Sequence, residues 1–121
     1  MNLVKMKQNN NGLLTREEFK KQVFAKTNGK CCVPNCGCDA VDAHHIMDRR
    51  LFYDGGYYLS NGAALCAKHH LEAEKGQIKP MQCIKYMGID LTDCRKPDKV
   101  DLDWHEYFEL LTTDRLNKWG E

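Results

Sequence analysis

Apolar residues fall at helical spacing near the start of this chain and switch to strict alternation before its middle. Phe19, Val23 and Phe24 form a stripe on a segment that opens on Thr15-Arg16-Glu17-Glu18. There the Thr15 hydroxyl and the Glu18 carboxylate can each satisfy a backbone N–H that the first helical turn leaves free, the capping-box arrangement. Leu14 and Phe19 stand where a hydrophobic staple would place them. Asn28-Gly29 ends the helix, because glycine tolerates the left-handed conformation that follows a last turn. Residues 40–46 alternate instead, with Val41, Ala43 and His45 against Asp42, His44 and Ile46. That period of two predicts a strand on which neighbouring side chains point to opposite faces. Residues 62–66 predict its partner strand. Residues 47–60, between them, read as a loop turning at Asp54-Gly55-Gly56, with Leu51-Phe52-Tyr53 and Tyr57-Tyr58-Leu59 able to form a small hairpin.

Helical patterns resume at 67–75, ahead of Gly76, and put Glu74 four residues after His70 on the same helical face. A short helix is predicted at 79–87, with Pro80 in its first turn and Gly88 as its cap. A polar connector follows at 94–99 around Pro97. The last helix is predicted over 103–118, capped by Asp103 and Glu106, with Trp104, Phe108, Leu111 and Trp119 facing the core. Residues 1–12 are polar and asparagine-rich and read as a loose arm. The expected fold is α+β: one domain over 13–121, with its core at 31–75, a knuckle of cysteines, a helix in front and a helical extension over 77–121 behind.

A chain of 121 residues with this many polar side chains buries a modest apolar area, so a structural metal would add usefully to its stability. Formal net charge is +1, which gives no global field to attract nucleic acid or membrane. Polyanion binding would need a local patch or a bound cation. The polar start of the chain is not expected to serve as a secretory leader, and no segment approaches the roughly 20 apolar residues of a membrane span. The expected setting is a reducing cytoplasm, where seven cysteines, an odd number, read as metal ligands before disulfides.

Four of the five histidines sit in two adjacent pairs, His44-His45 and His69-His70. Cys32 and Cys36 lie four apart, and Cys66 and His69 three apart at the far end of the strand pair. Three thiolates and an imidazole suit tetrahedral zinc rather than magnesium. Cys31 or Cys38 can replace either member of the first pair, since all four cysteines share the short knuckle at 31–38. Cys83 and Cys94 have no such context and read as packing residues.

Asp42-Ala43-His44-His45-Ile46, then Asn61-Gly62-Ala63-Ala64-Leu65-Cys66, then His69-His70 resembles the HNH endonucleases. The resemblance covers about 31–75 and implies a ββα-metal finger, two strands, a loop and a helix around one divalent cation. It implies His45 as the general base that activates water against a phosphodiester. His44 and His70 become ligands of a catalytic Mg²⁺ or Mn²⁺, and Glu74 is placed to complete that shell. Asn61 becomes the residue that braces the loop so that the base points correctly. A second zinc half-site of Cys66 and His69 departs from the two cysteines often found in the family, and leaves open which of His69 and His70 serves which metal. A neutral imidazole can take a proton from water near pH 7, and a carbonyl from the 47–60 loop on its other nitrogen would fix its tautomer.

Arg49 and Arg50 follow the first pair and fit phosphate oxygens with parallel donors. Tyr53, Tyr57 and Tyr58 stand near and can stack on bases, and Lys5, Lys7, Lys20 and Lys21 can extend the contact. The expected partner is nucleic acid, DNA ahead of RNA, in a bacterial or phage-infected cell, with no membrane. A single site nicks one strand, so double-strand cutting would call for a homodimer or two encounters. Two other readings stay open: a non-catalytic zinc-binding module, and a nuclease silent until a partner protein activates it.

Overall fold

The computed structural model describes residues 12–113. The expected arm, apart from Gly12, lies outside the described residues, as do Lys5, Lys7, Trp119 and the side chain of Trp104. Among the described residues four helices and one antiparallel strand pair make an α+β fold.

Helix α1 (Arg16–Lys26) starts at the capping box: Thr15 Oγ1 accepts from Glu18 N at 3.1 Å, and Glu18 Oε1 accepts from Thr15 N at 2.9 Å. Strands β1 (Asp42–His45) and β2 (Gly62–Leu65) pair with His45 opposite Gly62 and Asp42 opposite Leu65. Residues opposite one another share a face. Ala43 and His45 therefore look one way with Gly62 and Ala64, while Asp42 and His44 look the other way with Ala63 and Leu65.

The small residues of β2 let helices approach closely. A Cβ on Gly62 would strike the Val23 side chain and lie 2.9 Å from the Phe19 ring, so glycine is what allows α1 to seat on this end of the sheet. Helix α2 (Ala67–Glu74) also packs on both strands. Helix α3 (Pro80–Met87) lies against β2 and is in turn packed by α4 (Trp104–Thr113). Pro80 opens α3 and Gly88 closes it at φ 67°, as the sequence predicts. Phe19, Val23, Leu65, Ile84, Leu110 and Leu111 belong to one continuous core. Among the described residues no helix is long and apolar enough to cross a membrane.

Two expectations are corrected. Residues 47–60 form no hairpin; the chain makes 3-10 turns at Arg49–Leu51 and Leu59–Asn61. Phe52 and Tyr58 are both buried in the core, which draws the two segments inward instead of side by side. Gly55 and Gly56 are both left-handed, and a Cβ on Gly56 would sit 2.7 Å from the Phe52 ring. The other correction concerns α4, where Phe108 is 39% exposed and Tyr107, Leu110 and Leu111 carry the buried stripe. Their spacing of three and four residues sets the helix phase.

Candidate functional site

Cys31, Cys36, Cys66 and His69 converge where the knuckle meets the start of α2. Their ligand atoms all lie within 4.8 Å of one another. Cys36 Sγ is 3.9 Å from Cys66 Sγ, and His69 Nδ1 is 3.3 Å from Cys66 Sγ and 3.5 Å from Cys31 Sγ. These separations approximate the edges of a tetrahedron whose centre is about 2.0–2.3 Å from each atom, the bond lengths of a thiolate–imidazole zinc site. They are far longer than the roughly 2.05 Å of a disulfide. The group could hold a metal ion, and its soft donors fit one.

Cys31, not Cys32, joins this cluster. Cys31 N donates to Cys38 O and Cys32 N to Ala64 O, each at 2.8 Å, so consecutive residues are tied to different neighbours and their side chains diverge. Burial pushes the Cys32 thiol up to about 12, the state of an uncharged packing residue. Cys38 is exposed and outside the cluster. Burial also raises Cys31, to about 11, whereas a backbone hydrogen bond at Cys38 helps to lower Cys36. Cation binding would displace the thiol protons that burial favours.

A second group forms on the face of the sheet that carries His44. Glu74 Oε2 lies 3.5 Å from His44 Nδ1 and 3.3 Å from His70 Nε2, and the two rings meet edge to face at 5.2 Å. Asp42 Oδ2 sits 3.0 Å from the other ring nitrogen of His70. A carboxylate behind an imidazole in this way fixes the tautomer and aims the opposite nitrogen. Burial, then the His70 and His45 charges, hold His44 down at about 4, so its lone pair is available. This set offers two imidazoles and a carboxylate, and could hold a harder cation than the thiolate cluster.

His45 points to the opposite face, as strand alternation requires. Its ring stacks on Phe19 at 4.9 Å and 29°, and Tyr57 meets it edge-on at 4.9 Å. Burial lowers its pKa. The Gly55 backbone hydrogen-bonds the ring and favours the protonated form, the effect of a carbonyl acceptor. Nε2 is buried with no hydrogen-bond partner among the described residues. A buried ring nitrogen without a partner in the fold is uncommon.

Asn61 organises the loop around that ring. It is a buried polar side chain, 5% exposed. Its Nδ2 donates to Met47 O and Gly56 O, both at 3.1 Å, and its Oδ1 accepts from Met47 N at 2.8 Å. One side chain thereby ties the exit of β1 to the residue beside Gly55.

A cleft of about 730 Å³ runs past the edge of β1 and reaches His44, His45, His70 and Glu74. Arg49, Arg50 and Tyr57 line it, as does Lys20 from α1. Arg50 is engaged by Asp48 at 2.6 Å. Tyr53 and Tyr58 do not line it: Tyr53 is 79% exposed, and the buried Tyr58 donates its hydroxyl to Asp54. Lys21 is likewise outside the lining. Sequence reasoning missed Asp42 and Arg16. Asp42 carried a signal, because it lies two residues before His44 and so on the same strand face. No protein-family model matches this chain, and no curated protein or solved structure matches it either.

Proposed function

We propose that the protein is a metal-dependent endonuclease of the HNH, ββα-metal type, which hydrolyses phosphodiester bonds in nucleic acid, with DNA as the first substrate to test. The observation that carries this reading is the separation of neighbouring imidazoles. His44 faces His70 and Glu74, while His45, on the other face, keeps Nε2 free of any partner among the described residues. A zinc ion in the Cys31, Cys36, Cys66 and His69 cluster would hold the knuckle to α2.

A Mg²⁺ or Mn²⁺ ion held by His44, His70 and Glu74 would neutralise charge developing on the phosphoryl group and on the leaving oxygen. The protein's own part centres on His45. Its lowered pKa keeps the ring neutral near pH 7, so that Nε2 can accept a proton from an attacking water. Phe19 and Tyr57 restrict the ring's tilt, and a proton held on the other nitrogen by the Gly55 backbone would leave Nε2 as the acceptor. Asn61 holds the loop that makes this bond. Asp42 aims His70.

Plasmid incubated with Mg²⁺ or Mn²⁺ tests the proposal. Wild type should nick it. His45→Ala should lose about 10²–10⁴-fold in rate, the usual contribution of a general base, with its zinc content unchanged. Absence of nicking by both proteins would refute a nuclease active on its own, and if zinc is bound while no Mn²⁺ is held by His44, His70 and Glu74 it would favour a zinc-binding module.

A further inference from the structure

The cleft has a wall that lies outside the histidine and cysteine pattern. Arg16 and Lys20 of α1 are four residues apart, hence neighbours on one helical face, and both line the cleft opposite β1. Phe19, between them in sequence, packs on the His45 ring, so the register of α1 is fixed by the core and carries the two cations to the site. Arg49, four residues beyond the end of β1, lines the same cleft.

Among the described residues these cations have no acidic partner, and of the acids lining the cleft only Glu17 is likewise without an ion pair. Asp42 engages His70, Asp48 engages Arg50, and Glu74 lies between His44 and His70. Among the described residues no carboxylate pairs with Arg16, Lys20 or Arg49. Lys20 rests on the Phe24 ring, 5.6 Å from its centroid. Arg16 also stands in the first turn of α1, where the helix dipole disfavours a positive charge. Helix stability therefore does not account for it.

We infer that Arg16 and Lys20, with Arg49 in the same cleft, hold the phosphodiester backbone of a nucleic-acid strand against His45. This rests on the endonuclease reading and adds to it the surface that grips the substrate. The chain's near-zero net charge makes a local grip necessary, because each phosphate that a side chain neutralises contributes affinity by releasing counterions.

The test uses the full chain carrying His45→Ala, so that binding is read without cleavage. Anisotropy of a short fluorescein-labelled DNA duplex is followed as salt is raised. Arg16→Gln with Lys20→Gln should weaken binding by at least tenfold and reduce the slope of log affinity against log salt by about 0.9 for each phosphate no longer neutralised. Lys85→Gln, on an exposed turn of α3 outside the cleft, should change neither. Arg49→Gln alone should lower the slope by about 0.9, the share of a single phosphate. Unchanged affinity and slope in the α1 double variant, with an unchanged circular dichroism spectrum, would overturn the inference even if wild type nicks plasmid. Loss of binding in the double variant would uphold the grip even if wild type cuts nothing, and then only the reading as a nuclease active on its own would fall.

Discussion

The two ligand clusters share α2 and differ in almost every other respect. Cys31 and Cys66 are buried, and the knuckle beside them is tied to itself by Cys31 N to Cys38 O and to β2 by Cys32 N to Ala64 O. His44, His70 and Glu74 line an open cleft, and Glu74 is exposed. Four protein atoms complete a tetrahedron in the first cluster. Three protein groups in the second leave room for ligands that are not protein. Adjacent residues of one helix, His69 and His70, divide between the two, because a helix turns about 100° per residue. Three thiols and an imidazole in a partly buried cluster suit retention of an ion. Three mixed donors on a cleft wall suit an ion that must also meet a substrate.

The largest expected effect comes from breaking the closed cluster. Cys36→Ser should release one equivalent of zinc and destabilise the fold by about 3 kcal/mol or more, which lowers Tm by roughly 10 °C or more for a chain of this size. Metal analysis with thermal denaturation measures both. An unchanged Tm after zinc loss would show that the cluster does not support the fold.

The open cluster should fail differently. His70→Ala should weaken Mn²⁺ binding by at least about 100-fold by calorimetry, beyond the usual loss on removing a supporting residue, with zinc retained. Equal loss of both metals would mean that the two histidines of α2 do not divide as the geometry indicates. A smaller change tests the residue behind His70. Asp42→Asn should lower Mn²⁺ affinity about tenfold, at the low end of the range for such partners. Tm should hardly move, since Asp42 is exposed. No change in affinity would reduce the Asp42–His70 contact to an ordinary surface pair.

Local chemistry made some of this legible in the sequence. The α1 capping box lies within four residues, and the Pro80 and Gly88 boundaries of α3 act on their own backbone. The opposite orientation of His44 and His45 follows from strand alternation alone. Distant partners decide the remainder. Cys31 and Cys32 are equivalent by spacing, and only their ties to Cys38 and Ala64 separate them. The 47–60 loop reads as a hairpin by composition, but Asn61 claims its backbone groups and Phe52 and Tyr58 are drawn into the core. In α4 the buried phase was available from Tyr107, Leu110 and Leu111, and the bulk of Phe108 pointed away from it. Arg16 could not be found from spacing, because its place beside the cleft depends on Gly62 letting α1 sit against the sheet.

Crystals grown with zinc and soaked in Mn²⁺ test the central division most directly, with anomalous scattering identifying each ion. The expected result is zinc bound by Cys31, Cys36, Cys66 and His69, manganese touching His44, His70 and Glu74, and His45 Nε2 bonded to neither. A single ion coordinated by both His44 and His45 would contradict it.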